Sequence, residues 1–198
     1  KKSIKDFIGT IEHKTKIKSD EKKENPIKQS LFQPETAADF HQAYLEEKTT
    51  PVDVAMRLLD IVSSIEESAV PLRPFIAWEE RELMKQARAS KERYERGEPL
   101  GILDGVPICV KDELDMPPFK TMIGTKFYNS KPPDYDATSV SRLRSSGALM
   151  VGKTNMHEIG LGVTGLNVHY GTTRNPHHLD HYPGGSSSGS AAAVSAGL

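Results

Sequence analysis

Four hydroxyls crowd into five positions near the end of the chain, at Ser186, Ser187, Ser188 and Ser190, behind the pair Gly184-Gly185. Glycines let a backbone approach a ligand closely, and the small-residue run Ala191 to Ala196 reads as the first turns of a helix. A helix starting there aims free N–H groups outward, so the junction suits an anion or a reacting hydroxyl. A reacting serine needs a base to take its proton. One candidate is Lys111, directly after the apolar run Val106-Pro107-Ile108-Cys109-Val110, where an ammonium is kept from bulk water. A lysine with an ordinary pKa of about 10.4 is almost wholly protonated at neutral pH. To work as a base it has to be desolvated or set among donors. The plainer role for Lys111 is an ion pair with Asp112 or Glu113, its stem lying along the strand. Position alone leaves the two roles even.

Three other constellations carry weaker chemistry. Gly147 to Thr154 has the spacing of a phosphate-binding loop, but its four intervening residues are apolar and read as a strand. A helix end, Arg142 to Ser146, precedes Gly147, so the order of elements is wrong for a nucleotide site. His157-Glu158 resembles the opening of a zinc-protease helix, yet Leu161 stands where the second histidine belongs. His177, His178 and His181 lie within five positions between Pro176 and Tyr182, and read as a polar surface loop rather than a metal site.

These residues need elements to hold them. Thr36 can cap a helix with Ala37, Phe40, Tyr44 and Leu45 at helical spacing. Thr50, Pro51 and Asp53 form a capping-box start, and Val54, Leu58, Val62 and Ile65 make one apolar stripe. Phe75 to Trp78 reads as a short strand, and Glu79 to about Arg96 as a charged helix stopped by Gly97. After the turn Leu103-Asp104-Gly105 comes a strand over Val106 to Val110. Asp136 is expected to cap a helix through Val140 and Leu143, with Gly147 at its C′ position. Ala148 to Val151 is another buried-looking strand. Helices alternating with apolar runs point to an α/β fold with a largely parallel sheet.

Composition narrows the function classes. The chain has 198 residues, 36% hydrophobic, with a net charge of −1, which gives no reason to expect nucleic acid or a charged membrane surface as partner. Its one cysteine, Cys109, excludes an internal disulfide and a cysteine-based zinc site and favours an intracellular, cytoplasmic setting. No apolar run is long enough to span a bilayer. Residues 1–35 read as a charged tail or extension.

Four ordered blocks resemble the amidase signature family: Gly105 to Asp112, Gly147 to Glu158, Gly171 to Pro176, and Pro183 to Ala193. The resemblance runs from about Thr36 to Leu198. It implies an α/β/α sandwich around a mixed sheet, incomplete in this chain, with residues 36–198 as the N-terminal part of the domain. It implies amide hydrolysis by a Ser–cis-Ser–Lys triad without cofactor or metal. By position Lys111 is the triad lysine, Ser186 the bridging serine after a cis bond, and Ser187 a supporting hydroxyl in the same network. Ile159, Gly160, Leu161 and Gly162 correspond to a substrate-pocket segment. The family's nucleophilic serine and oxyanion hole lie beyond Leu198, and Ser187, Ser188 and Ser190 are too near Ser186 to replace the nucleophile.

The expectation is therefore a fragment that is inactive alone. Its implied partners are a small amide substrate and the remainder of the domain, with no nucleic acid, and a homodimer is compatible. Three alternatives stay open: the A subunit of a tRNA-dependent amidotransferase, a non-catalytic interaction fragment, and nucleotide binding through Gly152-Lys153-Thr154. The charged segment before Thr36 and the Gly160 to Val163 segment tilt the reading to a free-standing hydrolase.

Overall fold

The computed structural model describes residues 36–198; the expected tail over 1–35 lies outside them. Helix α1 (Ala37–Leu45) and helix α2 (Pro51–Glu66) both open on full capping boxes, Thr36 with Asp39 and Thr50 with Asp53. Each box satisfies amides that the first turn of a helix otherwise leaves unpaired. In α2 the buried stripe is Ala55, Leu58, Val62 and Ile65, with Ala55 taking the place expected for the half-buried Val54. Strand β1 (Phe75–Trp78) leads into helix α3 (Glu80–Glu95), capped by the Glu79 carboxylate. Helix α3 is charged outside, but Leu83, Ala87 and Ser90 line a buried face.

Strand β2 (Pro107–Lys111), helix α4 (Thr138–Ser145), strand β3 (Leu149–Thr154) and helix α5 (Ser188–Ser195) complete the order. Asp136 does not cap α4: the N-cap is Ala137, without a side-chain hydrogen bond. The Asp136 carboxylate instead binds Arg144 on the last turn, at 2.7 and 3.1 Å. Strand β3 runs three residues further than expected, through Gly152-Lys153-Thr154, and every residue of it is buried. The segment with phosphate-loop spacing is thus mostly strand, which leaves no loop to wrap a phosphate. Helix α5 begins at Ser188, three residues before the expected alanine run.

The three strands lie in the order β1-β3-β2. β3 is antiparallel to β1 and parallel to β2, so the sheet is mixed rather than largely parallel. Side chains of a strand alternate between faces, and β3 feeds a core on each. Leu149 and Val151 pack with Ala55, Leu58, Val62, Leu83, Ala87 and Ala193, from α2, α3 and α5. Ala148 and Met150 pack with Val110, Met116 and Val140 on the α4 side. Each large side chain so buried contributes about 1.5–3 kcal/mol.

The pairing contains one irregularity that matters for the site. Ile108 pairs with Met150, but Cys109 pairs with Gly152, so Val151 is an extra residue in β3. Such a bulge reverses the alternation beyond it. Lys153 consequently points to the α4 side, where its ammonium meets Leu114 and Thr121. Thr154 points to the α5 side, where it meets Ser190.

Candidate active site

Lys111 is the last residue of β2 and pairs in register with Thr154. Both face the loop and helix that carry the serines. Three contacts fix that loop. The Gly189 amide donates to the Asn155 carbonyl at 2.8 Å, and Thr154 Oγ1 and Ser190 Oγ lie 2.7 Å apart. The His157 amide donates to the Ser186 carbonyl at 2.9 Å. Gly185 admits no side chain, because a Cβ there would stand 2.6 Å from the Gly165 nitrogen. The Gly185–Ser186 peptide bond is cis.

The result is one short contact: Lys111 Nζ donates to Ser186 Oγ at 2.8 Å. The two residues are 75 positions apart in sequence. The Lys111 side chain is 14% exposed and also pairs with Glu113 Oε1 at 3.2 Å. Of the two carboxylates considered as its partner from sequence, Glu113 is the one used; Asp112 turns to Lys153, 3.3 Å away.

The other predicted site residues are placed unequally. Gly160 borders the site: a Cβ there would stand 3.9 Å from Ser186 Oγ and 3.7 Å from Glu113 Oε2. Gly162 is packed on the His157 ring. Ile159 and Leu161 are exposed, Leu161 at 87%. Ser187 is exposed, and among the described residues its hydroxyl hydrogen-bonds neither Lys111 nor Ser186, unlike the supporting role expected for it. Ser188 is buried with its hydroxyl toward the Asn155 carbonyl, at 3.5 Å. The three histidines of the 175–182 loop are engaged locally. His178 and His181 bring their Nδ1 atoms to 2.7 Å, and His177 reaches Ser195. Among the described residues no group of three or more His, Cys, Asp or Glu could hold a metal.

Sequence reasoning missed the residues that frame the site from behind. Lys153 is fully buried and donates to the Leu114 carbonyl (2.7 Å) and to Thr121. Asp112, equally buried, accepts from the Gly124 and Met122 amides. Burial pushes the Asp112 carboxyl above, and the Lys153 ammonium below, their usual ranges. Asn155 joins three loops, donating to the Arg73 and Gly171 carbonyls and accepting from the Met156 amide. The available signal was a run of polar residues, Lys153-Thr154-Asn155, continuing a wholly apolar strand. Buried polar groups of that kind need partners. A cleft of about 370 Å³, lined by Ile76, Ala77, Asp112, Lys120, Met122, Lys126 and Tyr170, includes neither Lys111 nor Ser186.

Known proteins share this arrangement of elements. The Amidase family model matches residues 60–198. A fatty acid amide hydrolase from Arabidopsis thaliana is 45% identical over 161 residues, covering 81% of this chain and 26% of its own length. The A subunit of the glutamyl-tRNA(Gln) amidotransferase from Alkaliphilus metalliredigens is 35% identical over 163 residues, covering 82% and 33% respectively. Among solved structures, the peptide amidase from Stenotrophomonas maltophilia superimposes with a TM-score of 0.77 at 30% identity, covering 83% of this chain and 34% of the other. The chain thus spans about a quarter to a third of the length of these relatives.

Proposed function

This chain belongs to the amidase family, and we propose that it supplies two members of a Ser–Ser–Lys triad for amide hydrolysis. Lys111, in its uncharged form, is the base. Ser186 is the relay: it gives its proton to Lys111 Nζ and takes one from the attacking serine, whose oxygen then adds to the amide carbonyl. The same chain returns a proton to the departing amine, as the imidazole does in a Ser-His-Asp site. The observation that carries this reading is the 2.8 Å contact between Lys111 Nζ and Ser186 Oγ.

The attacking serine is assigned outside residues 36–198. Ser190 is bound to Thr154, Ser188 is buried against Asn155, and Ser187 is exposed with no side-chain hydrogen bond to Lys111 or Ser186. The relatives extend well beyond the part matched here, and the partner we propose for this chain is that remainder of the domain. On this reading residues 36–198 are inactive alone.

For the substrate we favour an amide with an apolar acyl group. Ile159, Leu161 and Val163 expose apolar side chains in the segment on either side of Gly160, which borders Ser186. An amidotransferase component is the second reading, supported by the 35% identity to one from Alkaliphilus metalliredigens. The test uses the protein that contains this chain, with Lys111→Ala and Ser186→Ala, on fatty, aryl and short aliphatic amides and on glutamine-dependent amide transfer. Loss of fatty-amide hydrolysis in both variants is expected. Undiminished hydrolysis in Lys111→Ala would sink the triad, and glutamine-dependent transfer alone would favour the second reading.

A further inference from the structure

Glu113 is not accounted for by the two-residue relay. Its Oε1 lies 3.2 Å from Lys111 Nζ, and its Oε2 borders the space in front of Gly160 that Ser186 Oγ also borders. Among the described residues its polar partner is Lys111. The other charged groups on the elements around Lys111 are directed elsewhere. Asp112 pairs with Lys153, Asp115 acts electrostatically on Lys153, Glu158 binds His169 at 2.8 Å, and the His157 ring lies against Gly162 and Thr164. Glu113 is the carboxylate that faces the amine.

A carboxylate in that place has two opposed effects. Before reaction the ion pair engages the Lys111 nitrogen and must loosen before that nitrogen can take a proton. During reaction it holds the amine toward Ser186 and stabilises the ammonium formed when Lys111 takes the proton. A carboxylate orienting the base of a Ser-His-Asp site does the second job for an imidazolium. We propose that Glu113 is a positioning residue for the amide-hydrolysing site, acting on the substrate only through Lys111. This rests on the triad reading above.

The measurements use the protein that contains this chain, as wild type, Glu113→Gln and Glu113→Ala. One is kcat/KM against pH with a fatty amide. The other is acetylation of Lys111 by limiting acetic anhydride at pH 8, read on its peptide by mass spectrometry. The pair is partly solvated, so the ascending limb moves to lower pH by about half a unit in both variants. The plateau kcat falls about tenfold in Glu113→Ala and less in Glu113→Gln, whose amide oxygen still accepts a hydrogen bond. Acetylation of Lys111 quickens about threefold in both variants, because its nitrogen loses the Glu113 partner.

A residue that merely supports the fold would lower the rate and leave the limb in place. An unmoved limb therefore overturns the proposal, with or without faster acetylation. The labelling needs no turnover, so it separates this idea from the triad. If Lys111→Ala stays active, the triad reading fails by itself, and unchanged acetylation in Glu113→Gln shows the ion pair to be absent.

Discussion

Two lysines sit at the ends of neighbouring strands, and the structure treats them in opposite ways. Lys153 in β3 is paired in register with Val110, one position before Lys111 in β2. Its ammonium is sealed from solvent and held by Asp112 and by the Leu114 carbonyl. Lys111 keeps a little contact with solvent and holds one hydroxyl and one half-exposed carboxylate. A buried cation with all its donors engaged is structure. A cation at the rim, beside a hydroxyl with no other hydrogen bond among the described residues, is what the proposed relay requires. Residue type does not separate the two; the number of partners and the access of water do.

Exchanging the roles should therefore fail in both directions. Lys111→Ala is expected to lower kcat/KM by about three orders of magnitude while shifting the thermal midpoint little, measured by amide turnover and calorimetry. Lys153→Met should do the reverse. It leaves Asp112 buried without its counter-charge, a loss of about 3–5 kcal/mol, read as a lower midpoint in urea. The double variant Lys153→Met with Asp112→Asn should recover part of that loss, because the stranded charge goes too. If the single and double variants are equally unstable, the pair is not what holds this corner.

A third charged cluster sharpens the contrast, since it is structural and lies far from the serines in sequence. Asp104 is fully buried and accepts from Arg93 Nε and Nη2, Ser90 Oγ and the Leu100 amide. Burial alone would raise its pKa, but these donors outweigh burial and hold it below the usual aspartate value. The folded protein thus binds that proton less readily than the unfolded chain. The stability Asp104 contributes is present above about pH 4 and lost as pH falls through the lower, folded value. Asp104→Asn should cost about 3 kcal/mol at pH 7, with the penalty shrinking in more acid solution. A penalty that is flat from pH 7 to pH 3 would contradict this. Burial also raises the neighbouring Tyr94 hydroxyl to about 12, so it stays protonated across that range.

The smallest expected effect concerns the tie behind the site. Thr154→Val keeps the shape and removes the hydroxyl that meets Ser190, at a cost of about 1 kcal/mol. Turnover should fall several-fold through the loosened placement of Ser186, with KM nearly unchanged. An unaltered rate would show that the amide bond from Gly189 to Asn155 suffices to seat α5.

Local signals were read well where local chemistry decides. The helix cap at Thr36, the capping box at Thr50, the strand Phe75 to Trp78 and Gly147 with its φ of +81° all stand where their residue types put them. Asp136 was misjudged because a carboxylate one position before an N-cap has a stronger offer from Arg144 across the helix. The extra length of β3 was hidden because Gly152 and Lys153 are poor strand formers by propensity. Gly152 is required there because a side chain would strike Trp78, with a Cβ at 2.9 Å from the Trp78 Cβ. Lys153 is kept there by its partners on neighbouring loops.

The order of types along the chain raised Lys111 as one candidate base, the resemblance to the amidase signature family singled out Ser186 beside it, and the alternation of helices with apolar runs predicted layered α/β packing. None of these decided which way those groups point. Alternation counted along β3 puts Lys153 on the face of Leu149 and Val151, the face that α5 occupies. The extra residue Val151 reverses the count, sends Lys153 to Asp112 on the other face, and leaves Thr154 beside Lys111. A bulge is set by how two strands pair, and pairing joins residues about 40 positions apart. The sequence carries its ingredients, but only the packed sheet fixes its position.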